Sequence, residues 1–247
     1  MNHQFELPAS YKKWTYGLIG AGIIALLYGI FAYHPFAAVS HAAGHDAHAS
    51  VNGTRFWAVL LQNSVFFLLV VNAAMFFICV TTMAMAGWVV AFRRVSEAIS
   101  SVVPILGLIT FAILLAIVFG GRTDIYHWLD KDAVAADHIL NGKKGFLNPT
   151  FFLIWSGLAI LGWWLLGKKM RSMSLESDAN GHMDYETGSK WIWKNTVYAS
   201  LYCVVFTLTV ASTIPWLWLM SIDAHWYSTM YSWYTFASTF VSGMSLI

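Results

Sequence analysis

Residues 56–92 read FWAVLLQNSVFFLLVVNAAMFFICVTTMAMAGWVVAF, 37 positions without one Asp, Glu, Lys or Arg. A helix needs about 20 apolar residues to cross the hydrocarbon layer. Five more charge-free stretches accompany it: 14–45, 98–121, 145–167, 195–222 and 224–247. Together the six hold 168 of the 247 residues, so the 14 Lys+Arg and 12 Asp+Glu are confined to the other 79. A soluble domain scatters charge over its surface instead. The pattern excludes a soluble enzyme, a nucleic-acid binder, a secreted disulfide scaffold and a disordered chain. Continuous rather than alternating apolarity argues against a β-barrel.

The expected fold is therefore all-α, a polytopic transmembrane helical bundle. Its six spans fall at about 14–36, 57–85, 101–120, 149–167, 196–219 and 226–247. Tryptophans mark several ends, at Trp14, Trp57, Trp88, Trp128 and Trp226, as an interfacial belt does. Pro104 is tolerable in a first turn, whereas Pro215 should kink or end its helix and free carbonyls that need partners. Small residues recur as stripes, Gly17, Ala21, Ala25 and Gly29, then Ala112, Ala116 and Gly120, which suit close helix packing in lipid. The last span stops at Ile247 without a polar tail, so the chain is expected to be the front of a longer one.

Basic residues orient the spans. The N-terminus, the 86–100 connection and the 168–195 connection carry nine Lys/Arg, against five in the remaining connections, which places the N-terminus in the cytoplasm. The apolar run after Lys13 is too long for a signal peptide, so the first helix is retained.

Cys79 and Cys203 both fall in apolar stretches, and no CxxC or CxxCH occurs. The nine histidines, His3, His34, His41, His45, His48, His127, His138, His182 and His225, all avoid mid-span positions. The chain is thus expected to hold no redox metal; electrons would leave through a partner. His41, His45 and His48 would share one face if helical, but Gly44 and the small polar neighbours favour a loop over a metal site. Gln62, Asn63 and Asn72, with Thr207, Thr209, Ser212 and Thr213, either line a hydrated path or bond neighbouring helices. No acid lies mid-span, which weakens the case for proton pumping through this chain.

Two interfacial runs combine carboxylate, imidazole and aromatic groups. One is Arg122–Asp130, with Asp124, Tyr126, His127 and Asp130; the other is Ser221–Ser228, with Asp223, His225 and Tyr227. Imidazoles titrate near neutral pH, and Asp or Tyr can exchange protons beside them. Such groups could take the two protons that a quinol releases on oxidation. The plainer alternative is an interfacial belt in which Asp124 and Asp223 cap short helices. No catalytic residue and no metal ligand is assigned.

The run Asp223-Ala224-His225-Trp226-Tyr227-Ser228-Thr229-Met230-Tyr231 resembles the signature of NrfD-like (polysulfide reductase membrane subunit) proteins. The segment Trp128–Asn148 resembles the outer loop of such subunits in bacterial alternative complex III. Ala224 stands where Pro or another residue is more frequent. The resemblance implies a bundle of eight to ten spans, here in its front part. It implies a membrane subunit of a quinol:cytochrome c or quinol:oxidase complex in the bacterial inner membrane. Its partners would be a second NrfD-like subunit, periplasmic iron–sulfur and c-haem subunits and a terminal oxidase. Haem and clusters would lie in those partners, with quinone or menaquinone at or near this subunit. Asp124, His127, Asp130, Asp223 and His225 would handle protons. A self-contained transporter or channel and a purely structural scaffold are the competing readings; the absence of a clear internal repeat disfavours the transporter.

Overall fold

The computed structural model describes residues 8–33, 35–36, 45–181 and 183–247, with 45–50 described in backbone only. The described residues are helical, without a strand among them. Among the described residues, five helical stretches are long and apolar enough to cross a membrane: Ala9–Tyr33, Val51–Met83, Gly87–Phe119, Pro149–Asn180 and Tyr185–Ile222. The expected sixth forms the 18-residue helix Thr229–Leu246, which is less apolar than the five because it carries Ser232, Thr235, Ser238, Thr239, Ser242 and Ser245.

By internal contacts the chain divides within the second helix into Met1–Val59 and Leu60–Ile247. The first unit contains α1 (Ala9–Tyr33) and the start of α2 (His45–Met83). Trp57 donates its indole N–H to Pro35 O at 2.9 Å, and its ring meets Phe36 and Phe56 edge-on. Of the stripe foreseen on α1, only Gly29 is buried. A Cβ added there would lie 2.9 Å from Phe56 Cε2, whereas one at Gly17 would meet nothing within 4 Å.

In the second unit α2 supplies a buried face of Leu61, Val65, Leu68, Asn72, Met75 and Cys79. Phe76 stacks on Phe206 with centroids 4.2 Å apart. A 3₁₀ turn at Gly87–Val89 leads into α3 (Val90–Ser100). Ser101 and Val102 keep right-handed helical angles, so α3 passes almost directly into α4 (Val103–Phe119), with Pro104 in the first turn where no amide donor is needed. The third apolar segment therefore begins near Gly87 rather than at 101. The buried face of α4 runs through Val103, Gly107, Thr110, Leu114 and Ile117, not along the foreseen Ala112, Ala116, Gly120 stripe. Gly107 is the close approach: a Cβ there would lie 2.6 Å from Ile160 Cγ2.

Two short helices, α5 (Lys131–Ala136) and α6 (His138–Lys143), fill the following loop. α7 (Pro149–Asn180) packs on α4 and on α8 (Tyr185–Leu208). α7 outruns its expected end at 167 because neither Gly nor Pro occurs from 168 to 180, and Gly181, whose φ is +64°, suits the stop. α8 widens into π-helical turns at Thr209–Thr213 and Pro215–Leu219, then tightens at Met220–Ile222. The cause is local. Ser212 and Thr213 hydroxyls bond Leu208 O at 2.6 and 2.7 Å, and Pro215 contributes no amide to the ladder. α9 (Thr229–Leu246) packs on these wide turns. It also approaches α2 closely, since a Cβ on Gly243 would lie 2.6 Å from Ala73 Cβ.

Candidate functional site

The α4-to-α7 loop is ordered by its own side chains. Asp130 accepts from Asp132 N at 2.9 Å and caps α5; Asp137 accepts from Ile139 N at 2.8 Å and caps α6. Asn148 accepts from Phe151 N at 2.8 Å and, with Pro149 following, starts α7. These caps fix where the loop turns. Three bonds then join the loop region to the end of α8. Tyr126 donates its hydroxyl to Trp218 O at 3.0 Å, Lys143 Nζ donates to Ala224 O at 2.6 Å, and His225 Nε2 pairs with Asp137 Oδ2. The two runs singled out in the sequence therefore lie at one end of the second unit.

Each candidate residue has a distinct environment. Asp124 pairs with Arg122 at 2.9 Å and is largely shielded, so it is no helix cap. Tyr126 is fully buried among Trp128 and Phe152; burial pushes its hydroxyl well above the ordinary tyrosine value, so it donates and does not ionise. His127 is exposed in a 3₁₀ turn. Asp130 serves as a cap. Asp223 Oδ1 accepts from His225 N at 3.3 Å, holding the turn in which the histidine sits rather than capping a helix. Tyr227 is exposed.

His225 is the candidate with a carboxylate partner from another element, and that partner, Asp137, was not singled out from the sequence. The Asp137 side chain is 26% exposed and that of His225 56%, so the pair meets solvent. The amide of Ile139 holds the Asp137 carboxyl below its usual range, with His225 and the Leu140 amide adding to the effect against partial desolvation. Beside the pair opens a cavity of about 220 Å³. Phe146, Trp216, Trp226 and Met220 form its apolar wall; Lys143 and Ser221 supply polar atoms.

Inside the bundle, three of the polar groups expected to line a path or to bond helices do the second: Asn72, Thr209 and Thr213. Tyr202 donates to Asn72 Oδ1. Trp163 donates to Thr209 Oγ1 at 2.9 Å, Trp155 to Thr213 Oγ1 at 2.8 Å, and Trp218 to Ser156 Oγ at 2.7 Å. An indole N–H has no acceptor lone pair to receive a replacement proton, so the three tryptophan links fasten helices and do not relay protons. Gln62 and Thr207 are exposed.

The other end of the unit holds a cluster that the sequence reading left among the connections. Glu97 is buried in α3 and meets Arg93 at 3.0 Å and Arg94 at 2.6 Å. Arg94 also reaches Asp178 and Ser174 O on α7, while Arg93 reaches Asn195 on α8. Cys79 and Cys203 are both unoxidised. No group of three or more His, Cys, Asp or Glu with metal-holding geometry occurs among the described residues. His41 lies outside the described residues, and for His45 and His48 only the helical backbone is described. The chain matches no protein-family model, and no curated protein resembles it closely enough to count as a relative.

Proposed function

We propose that the chain is a membrane subunit of a quinol-oxidising electron-transfer complex, NrfD-like and of the alternative complex III kind, with its N-terminus in the cytoplasm of a bacterium. The carrying observation is the Asp137–His225 pair beside a 220 Å³ aromatic-walled cavity, at the end of the unit where the apolar stretches Gly87–Phe119 and Tyr185–Ile222 finish. A quinol ring is flat and amphipathic, and Phe146, Trp216 and Trp226 offer it stacking faces. Oxidation to quinone removes two electrons and two protons. His225 takes the two hydroxyl protons in turn, Asp137 stabilises the imidazolium each time, and the pair's exposure lets the first proton pass to water before the second arrives. The electrons go to iron–sulfur and haem centres in partner subunits. With 226–247 counted as the sixth span, both interfacial runs face the periplasm.

The test is made in the assembled complex. His225→Gln and Asp137→Asn should each lower quinol oxidation by roughly 10²-fold, the lower range for general-base assistance, with subunit composition unchanged. Rates equal to wild type would leave a scaffold. Ion flux through the purified chain alone in vesicles would instead establish a channel or transporter.

A further inference from the structure

A second cavity, about 200 Å³, opens at the Glu97 end of the bundle. Its inner wall is apolar and aromatic, with Met75, Val103 and Trp163, and its rim carries Lys168 and Arg171. No Asp or Glu among the described residues lines it. The acids nearby are engaged elsewhere: Glu97 holds Arg93 and Arg94, and Asp178 holds Arg94. Lys168 and Arg171 stand three residues apart on α7, and so on one face. The Lys168 ammonium lies 5.8 Å over the Trp164 ring, which also lines the cavity. Arg171 gives one N–H to Glu97 O at 3.4 Å, and a guanidinium has five. Ser100 and Ser101 spend their hydroxyl protons on Glu97 O and Ala98 O, so the two cations are the donors suited to an anion here.

We propose that this cavity is a specific site for an anionic phospholipid. Lys168 and Arg171 bind the phosphate and headgroup, and one acyl chain enters between α4 and α7 against Met75 and Trp163. A free anion would have no use for the apolar wall, and a neutral lipid none for the paired cations at its rim. Basic pockets between membrane helices select anionic headgroups for this reason. The site lies at the opposite end of the unit from His225, and it requires only that the chain sits in a membrane.

The experiment is native mass spectrometry of the full chain from mild detergent, with phosphatidylglycerol and phosphatidylcholine of identical acyl chains. Wild type should retain one phosphatidylglycerol in preference to phosphatidylcholine. Lys168→Gln with Arg171→Gln should lower that retention by about tenfold or more, each basic residue being worth on the order of fivefold. Gly167→Leu, whose Cβ would start 3.8 Å from Met75 Cε, should fill the apolar part and lower retention of the lipid with the melting temperature unchanged. Lys190→Gln, on the exposed Glu186 pair of α8, should change nothing. A loss as large with Lys190→Gln, or an undiminished preference in the double variant, overturns the site in favour of diffuse surface charge. Displacement of the lipid by inorganic phosphate alone would also overturn it, showing an anion site without an acyl chain.

Discussion

The two ends of the second unit both gather charge, yet they are built differently. At the Glu97 end the charges come from helices α3 and α7, with the neutral amide of Asn195 on α8 joining them, the central carboxylate is buried, and its oxygens are spanned by two arginines. At the His225 end the groups come from turns and caps, the acid–base pair is open to water, and an aromatic cavity adjoins it. α4 separates the two by about 25 Å, from 17 residues at 1.5 Å each. A shielded, multiply bonded carboxylate holds helices together. An exposed pair contributes little to stability and is placed where protons can come and go. The first arrangement is a clasp and the second is a working surface.

That contrast can be broken at several points. Glu97→Ala should have the largest effect, about 2–3 kcal/mol of lost stability, because it strands two arginines against buried backbone, discounted for the partial exposure of Arg94. Thermal unfolding in detergent reads it, and a loss below 0.5 kcal/mol, the reach of an ordinary surface change, would remove the clasp from the account. Gly243→Leu comes next, at about 1–3 kcal/mol, since its side chain would collide with Ala73 and Val70 O. Tyr126→Phe should cost about 1 kcal/mol by orphaning Trp218 O, without altering the fold. The smallest effect is the most discriminating. Asp137 has a lowered native pKa, so its contribution is present above the unfolded carboxyl value, about 4, and is lost as pH falls through the lower native one. Amide exchange in 137–143 should therefore rise over that acid range in wild type, and Asp137→Asn should flatten the dependence while still capping α6. An unchanged profile in that variant would detach the loop's order from the carboxylate.

Much of the architecture was legible because lipid leaves so few choices: charge-free runs of span length have to be helices. The helix ends were less so. Lys168–Asn180 reads as a charged connection, yet nothing in it breaks a helix before Gly181, and α8 likewise starts back at Tyr185, running through Gly188. Glu97 was hidden likewise, since its burial depends on α7 and α8 closing over it. At the other end His225 stood out by its neighbours in sequence. Asp137, 88 residues away, looked like one more small acidic loop residue until the loop was folded. Its cap role was readable, because an Asp before a short helical run is a start signal; its pairing was not.

The wide turns of α8 carry a consequence for insertions and deletions. Each π turn accommodates a surplus residue relative to regular α geometry. Removing one position from 209–213 would let that turn shrink to ordinary pitch and leave Trp216, Trp218 and all that follows facing as they do, whereas the same deletion in the regular turns of α8 would swing them around the axis by about 100°. The wide turns are thus a length buffer: the helix can lose a residue there and still span, with the aromatic wall beside His225 kept on its present face.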